Sequence, residues 1–178
     1  MTAVAFLTSF EGVEQAELTE PWKAVVDAGF EPVLIANTQD GQVQAYHHLT
    51  KADRFDAGLA PAKADPDDYA ALVLPGGVAN GDNLRTQPAA VEFVKRYAAV
   101  GKPIAVICHG GWILIEAGIV AGRTLTSWPS LQTDYRNAGA TWVDQELVVD
   151  DSDQPALISS RKPDDLKAFC SGLSEALR

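Results

Sequence analysis

Ala105-Val106-Ile107-Cys108-His109-Gly110-Gly111 runs directly into Trp112-Ile113-Leu114-Ile115-Glu116-Ala117. An apolar, β-branched run ends abruptly at a cysteine. A histidine, two glycines and a helix-compatible stretch follow. This is the layout of a nucleophile elbow: a strand, a tight turn carrying the nucleophile, then a helix. A helix N-terminus points unpaired N–H groups and the positive dipole end at the sulfur, which favours the thiolate. Cys108 is therefore expected to be much more acidic than Cys170. The same N–H groups can bind the oxyanion formed when sulfur attacks a carbonyl. Gly110 and Gly111 remove bulk where backbone must approach closely. The structural alternative is a buried cysteine ending a core strand, the commoner fate of a free cysteine. The adjacent histidine and paired glycines favour a reactive one.

On either side of this segment, short apolar strands alternate with helix-like stretches. Ala3–Leu7 reads as a buried strand, and Val13–Ala28 as a helix stopped by Gly29. Pro32–Ala36 is the next strand. Residues 41–70 read as irregular, with a hairpin around Val43–Tyr46. Ala71–Leu74 is a strand ending in Pro75-Gly76-Gly77, and Pro88–Val100 a helix stopped by Gly101. After the elbow strand Ile104–Ile107 come strands at Arg123–Thr126, Glu146–Val149 and Ala156–Ser159, then a helix from Asp164 to Leu177. The alternation predicts a flavodoxin-like α/β fold: a doubly wound, mostly parallel sheet with helices on both faces. In such sheets ligands bind beyond the carboxyl ends of the strands. Three of those ends lead to Phe10-Glu11-Gly12-Val13-Glu14, to Gly76-Gly77 and to Cys108-His109. If the strands are neighbours, carboxylates, backbone N–H groups and a thiol share one crevice.

Length and charge bound the function classes. The 178 residues suit one domain, residues 1–178. Twenty-four acidic against fourteen basic residues give a net charge of −10. With no Lys/Arg-rich run, neither nucleic acid nor an anionic membrane is expected as a partner. No signal peptide is evident, and no apolar run approaches the ~20 residues that span a bilayer. Cys108 and Cys170 do not suggest a disulfide framework, so the expected location is the cytoplasm. Cys170 reads as core filler. No metal-ligand spacing links His47, His48 and His109, and no cofactor is expected.

These residues resemble the PfpI-type intracellular protease and deglycase branch of the ThiJ/PfpI superfamily, itself similar to class I glutamine amidotransferases. The matching segments include Phe10-Glu11-Gly12-Val13-Glu14, Leu74-Pro75-Gly76-Gly77, Gly101-Lys102-Pro103 and Ile107-Cys108-His109-Gly110. Further along they include Thr126-Ser127-Trp128-Pro129-Ser130, Asn137-Ala138-Gly139-Ala140, Trp142-Val143-Asp144 and Ser159 to Leu166. They run in family order over nearly the whole chain. The resemblance implies that Cys108 is the nucleophile and His109 its acid–base neighbour. It implies a protonated Glu14 near the sulfur, donating a hydrogen bond that stabilises thiolate. An ionised carboxylate there would instead raise the thiol by repulsion. Gly77 and His109 N–H would form the oxyanion hole. Asp82, on the loop after the glycines, would complete a triad across a subunit interface, and Trp128 would line the pocket mouth.

Each role has a structural rival. Glu14 could be an exposed first-turn acid, although Glu11 and Glu17 are available for that task. Asp82 lies in the turn-like Asn80-Gly81-Asp82-Asn83. Trp128 could be core packing. The chain also departs from the pattern. Gly111 stands where members usually carry proline, which would loosen the elbow. Trp128 replaces the His or Tyr that other branches place near the cysteine.

The expected function is cysteine-dependent attack on a carbonyl, as in a hydrolase or a glyoxalase/deglycase-type enzyme of stress protection. Its substrates would be α-oxoaldehydes, their protein adducts or peptides, and it would work as a homodimer or higher homo-oligomer. The alternative is a redox sensor or binding protein whose Cys108 is oxidised without turnover. A glutaminase-like subunit is weaker still, because no His…Glu pair near the C-terminus supports it.

Overall fold

The computed structural model describes residues 2–178. The first half runs β1 (Ala3–Leu7), β2 (Glu11–Glu14), α1 (Gln15–Asp27), β3 (Glu31–Ile35), β4 (Gln42–His47), β5 (Thr50–Asp56), β6 (Tyr69–Leu74) and α2 (Val78–Arg85). The second runs α3 (Pro88–Val100), β7 (Ile104–Ile107), α4 (Trp112–Glu116), β8 (Thr124–Leu125), α5 (Gln132–Asn137), β9 (Thr141–Trp142), β10 (Val148–Asp150), β11 (Leu157–Ser160) and α6 (Leu166–Ala176).

Six strands form the main sheet, in the order β10-β11-β7-β6-β1-β3. Only the edge strand β10 is antiparallel to its neighbour. Parallel strands are covered on both faces, so they read as continuous apolar runs. Ile104-Ala105-Val106-Ile107 shows why. Ile104 and Val106 pack with Leu72 and Leu74 under Phe93 and Tyr97 of α3 and Leu114 of α4. Ala105 and Ile107 face the other way, with Val73 and Phe6, under Leu18 and Val25 of α1 and Phe169 and Leu173 of α6. The fold is thus the expected α/β arrangement. β7 and β6 are direct neighbours, so Cys108 and Gly76-Gly77 leave the sheet side by side.

Several boundaries differ from the sequence reading. The first helix begins at Gln15, not Val13, because Glu11–Glu14 is drawn into a small sheet beside β4. The hairpin is larger than Val43–Tyr46: β4 pairs with β5, and the turn falls at His48-Leu49, with His48 left-handed at φ 58°. Asn80-Gly81-Asp82-Asn83, read as turn-like, lies inside a helix, α2. The last helix starts at Leu166, after a 3-10 turn over Pro163–Asp165. Arg123 is buried behind β8. It donates to the Asp150 carboxylate and to the carbonyls of Asp150 and Pro155, which ties β8 to the edge of the main sheet.

Candidate active site

Cys108 follows the last residue of β7 and has φ 59°, in the left-handed region where non-glycine residues are strained. The helix expected after it is modest. A 3-10 turn over Cys108–Gly111 leads into the five-residue α4, too short to carry much dipole. Local amides take its place: the N–H groups of Gly77 and His109 both face the sulfur. These are the two residues that the sequence reading named for the oxyanion hole.

The paired glycines are required by sterics. A Cβ on Gly76 would meet the Glu17 carboxylate and Cys108 Cβ, and one on Gly77, at φ 94°, would meet Gly12 O. Asn80 braces this turn, a role that sequence reasoning missed. Fully buried on α2, it accepts from Ser9 N–H at 2.7 Å and donates to Pro75 O at 3.0 Å and Gly76 O at 3.1 Å. One side chain therefore joins the ends of β1 and β6.

The acid beside the sulfur is Glu17, not Glu14. Glu14 is half-buried at the start of α1, and its carboxylate accepts from His48 N–H at 2.9 Å. The helix begins at Gln15, so Glu14 extends from a strand towards the hairpin turn while Glu17 faces the sheet. Glu17 is fully buried. Its Oε2 accepts from Gly76 N–H at 2.8 Å, and its carboxyl group interacts with the Cys108 thiol. Burial raises its pKa from 4.5 to about 8, so it is protonated at neutral pH. A signal existed in the sequence. Glu17 falls within the stripe Leu18, Pro21, Val25 that α1 buries, and an acid there is a buried acid.

His109 Nδ1 lies 3.1 Å from Cys108 Sγ, and Nε2 lies 3.4 Å from Ser130 Oγ. Its ring stacks on Trp128, with centroids 5.6 Å apart, and tilts against Trp112 at 5.2 Å. Burial lowers its pKa to about 4. The Cys108 thiol moves the other way. Burial raises it, as does the charge of Glu17 when ionised, while the Gly77 and His109 N–H groups oppose them. The expected low-pKa thiolate is therefore not what this pocket favours. A buried thiol beside a neutral imidazole is. Cys170 is half-buried on α6, where burial raises it to about 11.

Asp82 sits on the exposed side of α2, and within the chain Ser130, not Asp82, faces His109 Nε2. Trp128 is positioned by the elbow itself, since its N–H donates to Cys108 O at 3.4 Å. Gly111 does not leave slack. A Cβ there would collide with the Tyr135 hydroxyl, which is buried and has no hydrogen-bond partner among the described residues. A bulky tyrosine fills the space that a larger residue at 111 would need. Among the described residues, no three His, Cys, Asp or Glu side chains are placed to hold a metal ion. No helix there is long and apolar enough to cross a membrane.

The chain is similar to known proteins in sequence and in fold. Residues 2–176 match the model of the DJ-1/PfpI family. A deglycase of Thermococcus kodakarensis is 40% identical over 172 residues, covering 97% of this chain and 98% of its own. The deglycase PfpI of Pyrococcus furiosus is 39% identical over 168 residues, covering 93% of each. A crystal structure from Anabaena variabilis, with DJ-1/ThiJ/PfpI-like and ferritin-like domains, superposes with a TM-score of 0.88 at 31% identity. That match covers 98% of this chain and 49% of the two-domain protein, so the chain spans about half of it. With an elbow cysteine at its centre and a family match along nearly its whole length, the chain belongs to the DJ-1/PfpI family.

Proposed function

We propose that this chain is a cysteine-dependent enzyme of the deglycase type that attacks carbonyl groups through Cys108. The observation that carries the reading is the convergence on one sulfur of a histidine nitrogen, two backbone N–H groups and a protonated carboxyl. Its substrates are small α-oxoaldehydes and their early adducts on proteins, with peptides as further acyl substrates. Relatives named deglycases support an enzymatic role.

The protonation states suggest the order of events. At neutral pH the thiol, His109 and Glu17 are all uncharged. His109 Nδ1 accepts the thiol proton as sulfur bonds to the carbonyl carbon. The carbonyl π pair moves to oxygen, and the Gly77 and His109 N–H groups receive the resulting oxyanion. The imidazolium then returns its proton to that oxygen, giving a neutral hemithioacetal. Glu17, kept neutral, adds no repulsion to the negative charge developing beside it. His109 needs a group to stabilise its transient charge. Exposed Asp82 serves that purpose from a second copy of the chain, as the resemblance implies.

The test is turnover of methylglyoxal, glutamine and peptide substrates with Cys108→Ala as control. Turnover of methylglyoxal that requires Cys108 is expected. Stoichiometric oxidation of Cys108 without turnover would replace the enzyme reading by the redox-sensor reading.

A further inference from the structure

Away from Cys108, beyond the carboxyl ends of β1 and β3, lies a cavity of about 740 Å³. Its walls are the Phe10-Glu11 segment, the 37–40 loop, the β4–β5 hairpin and the α2–α3 junction. Neither Cys108 nor any residue that contacts its sulfur lines it.

The lining has an unusual chemistry. Six of its side chains are carboxamides: Asn37, Gln39, Gln42, Gln44, Asn83 and Gln87. A carboxamide offers two donors and an acceptor in one plane, which suits hydroxyl groups that both donate and accept. Several are already held in place. Gln44 Nε2 donates to Ala45 O and Ala52 O, each at 2.9 Å, and Gln42 Nε2 to Asp56 Oδ1 at 2.9 Å. Gln87 Nε2 donates to Ser9 Oγ and Asn83 Oδ1, each at 3.3 Å, while its Oε1 has no partner among the described residues.

Charge narrows the ligand further. Glu11 and Asp40 are matched in number by Lys51 and Arg54, and Asp40 pairs with Arg54. In a chain of net charge −10, this balanced lining selects neither an anion nor a cation. Phe10, 42% exposed, gives one apolar face for the C–H side of a ring or chain. The volume is within the roughly 300–1,000 Å³ of small-molecule sites.

We infer that this cavity binds a neutral polyhydroxylated molecule, a monosaccharide or a sugar alcohol. The inference does not rest on the Cys108 chemistry. Its test uses Cys108→Ala protein and two probes without a free carbonyl, sorbitol and methyl α-glucoside, so covalent capture at the elbow cannot contribute.

Titration is followed by the side-chain NH₂ signals of Asn37, Asn83 and Gln87 in ¹⁵N-labelled protein. Saturable shifts at low-millimolar concentration are expected. Phe10→Ala and Gln87→Leu should each weaken binding about tenfold while the rest of the spectrum stays that of the folded protein. Asn83→Leu serves if Gln87→Leu does not fold. Shifts still linear at about 100 mM of either probe would overturn the inference. So would preference for the charged analogues gluconate or glucosamine, or dilution-dependent signals showing that a second copy of the chain fills the cavity. None of these failures touches turnover at Cys108, which is measured separately.

Discussion

Replacing Glu17 with glutamine should change how stability depends on pH, and the structure sets the window. The folded state holds Glu17 at about 8 against 4.5 in the ordinary carboxyl range. Between those values the unfolded chain releases the proton and the folded chain keeps it, so stability falls as pH rises. At about 1.4 kcal/mol per pH unit, the whole interval is worth roughly 5 kcal/mol. His109 acts in the opposite sense. Lowered from 6.5 to about 4, it gains a proton on unfolding between those values, so its contribution rises with pH and is lost on acidification. Below pH 6.5 the two slopes nearly cancel. From pH 6.5 to 8 Glu17 acts without that opposition, and the protein should lose about 2 kcal/mol, or about 4–8 °C in Tm for a chain of this size. Glutamine keeps an acceptor for Gly76 N–H and has no proton to lose, so Glu17→Gln should be flat across that window. Urea unfolding of both proteins at pH 6.5 and pH 8 measures the difference. Parallel losses in the two proteins would refute the buried neutral carboxyl.

Cys108→Ala should abolish turnover while moving the urea-derived stability by less than about 1 kcal/mol, because alanine keeps the Cβ and the backbone turn and removes a single buried sulfur. A larger loss would favour a structural cysteine. Gly111→Ala should destabilise by about 2–3 kcal/mol, through overlap with the Tyr135 hydroxyl. Tyr135→Phe alone should be nearly neutral, since that hydroxyl is unpaired, and should recover part of the loss in the double variant. Thermal melts of the four proteins read this directly. Co-expressed Cys108→Ala and Asp82→Ala chains should regain part of the activity that each lacks, since one site of the mixed dimer holds an intact Cys108 and receives an intact Asp82. No recovery in a verified heterodimer would exclude Asp82 acting in trans.

The parallel core was legible because burial on both faces leaves its mark in single strands. Ile104–Ile107 and Ala71–Leu74 are apolar at every position, and the glycines and cysteine after them mark where the chain must turn. Residues whose placement depends on distant partners were not legible. Val13-Glu14 looks like a helix start until β4, some thirty residues later, supplies the ladder that holds it extended. That local choice sets the phase of α1 and so decides which acid reaches the sulfur. The pKa pattern was hidden for the same reason. A helix dipole can be read from a motif, but the depth at which Cys108 and His109 are buried depends on Trp112, Trp128 and Glu17 arriving from separate elements.

The left-handed backbone of Cys108 has a consequence for how this molecule tolerates change. A non-glycine residue in that conformation costs on the order of 1–2 kcal/mol, which the surrounding sheet and turns must offset. Glycine would occupy the position without that strain. A search for heat-resistant variants that ignored activity would thus be drawn towards Cys108→Gly and would discard the sulfur. Keeping a thiol at 108 means accepting a less restful backbone, and a stabilising programme should hold this position fixed and seek its gains elsewhere.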